Sequence, residues 1–91
     1  MTQHLHQYLS LQKTDKVQVN LKGQANVMIM NDENYLLYRN GDDFDYFGML
    51  AKRSPCILGV PGAGHWHLVI EQANPTQDIM AHVQIISQQR G

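Results

Sequence analysis

The chain has 91 residues, of which 43% are hydrophobic and 16% charged, and its formal net charge is −1. That length holds one domain, which buries roughly two-thirds of its unfolded surface, and the apolar content excludes a disordered chain. Seven Lys and Arg are spread without a cluster, so the electrostatic footprint of a nucleic-acid binder is missing, and no apolar run approaches the ~20 residues that span a bilayer.

The N-terminus, Met1 to His6, has no basic stretch leading into an apolar one, so no signal peptide is predicted. Leu5, Leu9 and Leu11 with Tyr8 between them predict a strand over 5–11, with a short amphipathic helix as the rival reading. Lys16-Val17-Gln18-Val19-Asn20-Leu21 alternates perfectly between polar and apolar, the pattern of a half-buried strand. Lys22-Gly23-Gln24 is a turn. Ala25 to Met30 is a second strand, apolar on both faces from Val27 onward, and therefore central or covered on both sides. The two strands are expected to form a hairpin.

Residues 31–41 are the one helical candidate. Asn31 or Asp32 can cap its start and Gly41 its end, and Tyr35 and Tyr38 share a face at i, i+3. So short a helix needs packing, and it is expected across a sheet edge. Residues 42–47 are expected to be loop then strand, with Phe44 and Tyr46 on one side. Pro55, lacking an amide proton, belongs at a strand start or edge. Cys56 to Val60 is a strand, and Cys56, the only cysteine, is expected to be a buried thiol. A lone cysteine permits neither an internal disulfide nor a cysteine-based zinc site, and with no export signal it suggests a bacterial-type cytoplasm.

The sharpest turn in the chain is Pro61-Gly62-Ala63-Gly64, between the apolar run ending at Val60 and the run His65 to Glu71. It predicts a second hairpin, with Trp66, Leu68 and Ile70 on one face of the outgoing strand and His65, His67 and Val69 on the other. Residues 72–77 read as a loop. Asp78 to Ile86 reads as the last strand, with Ile79, Ala81, Val83 and Ile85 inward, and 87–91 as a frayed polar tail. Six to eight short strands, one short helix and no helix long enough for a parallel βαβ unit predict an all-β domain, a small antiparallel β-sandwich or a partly open barrel.

Several ordered fragments carry a family resemblance. They are Asn26-Val27, Met30-x-Asp32-x-Asn34-Tyr35-x-x-Tyr38-Arg39-x-Gly41, Phe44-x-Tyr46-x-Gly48, Arg53-x-Pro55 and Val60-Pro61-x-x-Gly64-x-Trp66. Over roughly residues 5–86 the chain resembles a small bacterial family, domain of unknown function 1883. The resemblance implies a compact β-sandwich that stands alone or beside a TIR domain and serves as an accessory or recognition module. It implies no activity. The chain departs from the pattern at Met49, where a second glycine is expected.

Two functional readings follow. Tyr35, Tyr38, Arg39, Tyr46 and Arg53, joined by Trp66, have the aromatic-plus-arginine composition of a surface that binds a protein or small-molecule ligand without enzymatic activity or cofactor. They also have the composition of ordinary packing, with Trp66 in the core and arginine lying on a ring. The alternative is a small metal-dependent hydrolase on His65-x-His67, because i and i+2 of a strand share a face and two imidazoles there can share one ion. A third ligand would come from His82, Glu71, Asp78 or His4. The bland reading of the pair is two histidines on an exposed face. No serine or cysteine stands in a nucleophile motif, and Pro61 breaks the only glycine-rich stretch, so no phosphate loop is present. Apolar residues on both faces of 25–30 and of the last strand also predict a homodimer through the last strand or the Met28–Met30 face, with a helix-covered monomer as the alternative.

Overall fold

The computed structural model describes residues 4–72 and 80–86. The strands are β1 (His4–Leu11), β2 (Lys16–Lys22), β3 (Ala25–Met30), β4 (Phe47–Ala51), β5 (Cys56–Gly59), β6 (Gly64–Gln72) and β7 (Met80–Ile86), with one helix, α1 (Asp32–Asn40), after β3. They form two antiparallel sheets, one in the order β1-β6-β3-β4 and the other in the order β5-β2-β7. The fold is thus the all-β sandwich with one short helix that the alternation predicts. Of the loop expected at 72–77, Gln72 still belongs to β6, and the rest of it, the start of the last strand at Asp78 and Ile79, and the polar tail lie outside the described residues.

Alternation dictates the core. Val17 and Val19 of β2, Val27 and Ile29 of β3, and Leu68 and Ile70 of β6 meet between the sheets with Leu9, Leu11, Cys56 and Leu58. Each is essentially withdrawn from water, and full burial of one such side chain stabilises by about 1.5–3 kcal/mol. The Cys56 thiol is buried as expected, and burial raises its pKa. β3 is central and covered on both faces. Its inward row joins the main core, while Met28 and Met30 lie with Val69 beneath Tyr35, Tyr38 and Phe44.

Neither expected hairpin forms. β2 pairs with β5 and β7, and β3 pairs with β4 and β6. The turn at Gly23 (φ 93°) therefore carries the chain from one sheet to the other. The Pro61–Gly64 turn does the same between β5 and β6, and Trp66 Nε1 donates to the Gly62 carbonyl at 2.9 Å across it. A reversal signal marks where the chain turns. It does not say whether the flanking strands bond side by side or face each other across a core, because an alternating strand satisfies both.

Three smaller expectations are also corrected. α1 lies over the outer face of the four-stranded sheet, not across its edge, because its tyrosines cover the otherwise exposed methionines of β3. It starts at Asn31, whose side chain accepts from the Asn34 amide, and stops at Gly41 in the left-handed region (φ 79°), as the cap residues predict. Residues 42–46 form a loop, and the strand begins only at Phe47. The Asp45 amide donates to Asn34 Oδ1 at 2.9 Å and Phe44 meets the edge of Tyr38, so this segment is tied to the helix. Gly48 and Met49 both lie inside this strand, β4. Finally, α1 covers the Met28–Met30 face, leaving Met28 and Met30 at 4% and 1% exposure, so that face is closed to a second copy.

Candidate functional site

The outer face of the four-stranded sheet collects most of the chain's polar rings. β1 and β6 pair so that Tyr8 lies opposite His67, Ser10 opposite His65 and His4 opposite Glu71. Since alternate residues share a face, His4, His6 and Tyr8 project on the same side as His65, His67 and Glu71. α1 brings Asp32, Tyr35 and Tyr38 down onto them.

Asp32 Oδ1 accepts from His67 Nε2 at 2.6 Å, and His67 Nδ1 lies 2.7 Å from His6 Nε2. With the carboxylate ionised, neutral His67 carries its proton on Nε2 and accepts at Nδ1, so His6 donates from Nε2. Tyr35 stacks on both imidazoles, at 4.1 Å from His6 and 4.3 Å from His67. Tyr8 leans over His67 at 4.6 Å and stacks on His65 at 5.4 Å. The His67 side chain is only 13% exposed, while that of Asp32 is 72% exposed.

The charges follow from this packing. Partial desolvation, then the neighbouring His67, His4 and Arg39, lower the His6 pKa. Desolvation, followed by the charge and hydrogen bond of Asp32, raises that of Tyr8. The Tyr38 hydroxyl donates to Glu71 at 2.6 Å, and desolvation together with that carboxylate raises the phenol well above its ordinary range. Tyr38 therefore stays a donor at every pH at which the protein is handled. Tyr38→Phe removes a charge-assisted bond that ties α1 to β6 and is expected to reduce stability by about 1.5–3 kcal/mol, read from urea unfolding at pH 7.5.

The residues that the sequence singles out are distributed over three places. Tyr35, Tyr38, Arg39, His65 and His67 belong to or border this face. Tyr46 follows Phe44 toward the β4 edge, at 5.6 Å between rings, and Arg53 lies beyond the end of β4. Trp66 faces inward, half-buried against the core and edge-on to Phe47. For the metal reading, both nitrogens of His67 are engaged and His65 stacks on Tyr8. Among the described residues no group of three or more His, Cys, Asp or Glu is placed to hold an ion. Of the named third ligands, His4 meets the ring of Tyr38, Glu71 accepts from Tyr38, and His82 is on β7 in the other sheet. Asp78 lies outside the described residues. His6, Tyr8 and Asp32 are central here and were not singled out from sequence. The available signal was His4-x-His6-x-Tyr8, whose spacing places all three on one face of a strand.

Fold and site together define a small antiparallel β-sandwich whose helix-covered sheet carries a stacked imidazole–tyrosine face. No described helix is long and apolar enough to cross a membrane. Residues 2–89 match the family described as domain of unknown function 1883, and the chain belongs to that family. No curated protein and no solved structure matches it.

Proposed function

We propose that the chain is a non-enzymatic recognition module that takes a protein or small-molecule ligand on the imidazole–tyrosine face. The observation that carries this reading is the position of the ring stack. Tyr8 is 50% exposed, yet it is held in line by stacking on His65 and by a tilted contact with His67. Exposed rings held in a fixed array present flat surface to a partner at little further entropic cost. Arg39, exposed on α1 and close enough to influence His6, adds a cation beside the rings. A planar ring bearing a carboxylate fits that combination.

The probes are benzoate and indole-3-acetate, titrated into labelled protein and followed by amide chemical shifts. Perturbations are expected on β1, β6 and the first two turns of α1, and Tyr8→Ala should weaken them several-fold. Shifts confined to other surfaces, or none in the folded wild type, would count against this face.

A further inference from the structure

β4 is the edge of the four-stranded sheet, and its outer side is unpaired among the described strands. It is also the most apolar edge. Tyr46, Phe47, Met49 and Leu50 are 50%, 56%, 48% and 45% exposed. No lysine or proline interrupts 47–51, the usual protection of such an edge. By contrast, β5 is only four residues long and lies between Pro55 and Pro61, β1 presents His4, His6, Tyr8 and Ser10 on its outer face, and the outward row of β7 sets His82 and Gln84 between Met80 and Ile86.

The flanks of β4 carry opposite charge. Asp42, Asp43 and Asp45 precede it, and Lys52 and Arg53 follow it. Among the described residues the only ion pair is His67–Asp32, so Asp45, Lys52 and Arg53 reach this edge unpaired. We infer that β4 pairs antiparallel with β4 of a second copy across a two-fold axis at Met49, joining two four-stranded sheets into one. Parity limits the register. A slip of one residue would set the inward Phe47 row against an outward row, so the two-fold must keep odd residues opposite odd ones. Among such registers, the one centred on Met49 sets Asp45 opposite Arg53, Tyr46 opposite Lys52 and Phe47 opposite Ala51, each twice. Opposite charges and a cation on a ring then close both ends of an apolar centre. Pairing over nine residues with these four large side chains buries on the order of 500 Å² per copy, which reaches the ~1,000 Å² total expected of a specific interface. This assignment is independent of the ligand face, and it gives Tyr46 and Arg53 a role that the imidazole–tyrosine array does not.

Light scattering coupled to size exclusion at about 100 µM, with a dilution series for the dissociation constant, tests it. Wild type should run at twice 10.4 kDa. Asp45→Arg and Arg53→Asp should each weaken the dimer at least about tenfold, and the double swap should return it to within about threefold of wild type. Should either swap fail to fold by circular dichroism, Met49→Lys serves instead. It sets two ammonium groups against each other at the axis and should give a folded monomer. A wild type that stays at 10.4 kDa overturns the inference. So does a dimer indifferent to the single swaps, which points to another edge such as β7, and so does a double swap that restores nothing.

Discussion

Gly48→Ala should lower the stability of the fold by about 3 kcal/mol, one of the largest effects expected of any single added methyl in this chain. A Cβ at Gly48 would land on the Val27 carbonyl oxygen and lie 2.9 Å from the Met28 Cα. Both are backbone atoms of β3. That strand is bonded to β4 on one side and β6 on the other, and Val27 is fully buried between the sheets, so it has nowhere to retreat. Relief requires β4 to move away from β3, with loss of part of the ladder and of the Ala51 contact with the core. For a domain of this size, 3 kcal/mol corresponds to a fall of roughly 12–24 °C in melting temperature. Gly59→Ala is the control. It lies in β5 with nothing within 4 Å of the added methyl, and a shift under about 0.5 kcal/mol is expected. The measurement is urea unfolding at one fixed protein concentration, so that the dimer proposed above would bear equally on both variants. Equal midpoints for the two variants would show that the β3–β4 approach is not as tight as described.

The need for glycine at 48 could not have been read from the chain. Phe44-x-Tyr46-x-Gly48 looks like the approach to a turn, and glycine is the ordinary turn residue. Here it serves close approach of two backbones within a strand pair, which only the pairing partner reveals. The element boundaries were far more legible. Alternation over Lys16–Leu21 and the doubly apolar run Ala25–Met30 specify strands by themselves, and Asn31 and Gly41 cap α1 because their side-chain and backbone chemistry is local. What alternation cannot carry is partnership. Val17 and Val19 need only an apolar surface opposite, and β3 across the core provides it as well as β3 alongside would.

The candidate site divides along the same line. Tyr35 and Tyr38 were legible because i, i+3 spacing on a capped helix sets a shared face. His65 and His67 were legible as a pair on one strand, but the partner of His67 proved to be His6, sixty-one positions away and on the neighbouring strand. Asp32 was legible only as a cap candidate. It lies one residue inside the helix, with its carboxylate turned to His67 instead of to the helix amides. Contacts between distant strands depend on sheet order, and no single stretch of the sequence encodes that order.

His67→Ala should cost about 2 kcal/mol and loosen α1 from β6, while Tyr35 on His6 still holds it to β1. The substitution removes two hydrogen bonds and the ring that Tyr35 and Tyr8 pack on. Asp32 is left in water, not stranded in the interior, so the loss is one of contacts and not of an orphaned buried charge. The same chain of groups sets a pH response. One hydrogen fits between His67 Nδ1 and His6 Nε2, so the pair carries at most one positive charge while that bond stands. A second proton sets two N–H groups against each other. His6 accordingly has a lowered pKa, chiefly by desolvation, then by His67, His4 and Arg39, while Asp32, Tyr8, Tyr35 and Glu71 complete the polar surroundings of the pair. A base with a depressed folded-state pKa is bound to fewer protons in the folded state than in the unfolded state, so stability rises with pH through that window. The contribution is complete above the unfolded value near 6.5 and is lost as pH falls through the folded value. Because His6 is solvent-exposed, its share is held under about 1 kcal/mol. The readout is the difference between wild type and His6→Ala across pH 7.5 to 5, together with the His6 titration followed by NMR. Wild type should lose more stability than the variant over that interval, and His6 should titrate below 6.5. Parallel stability curves, or a His6 midpoint above 6.5, would show that the two imidazoles do not share a single proton.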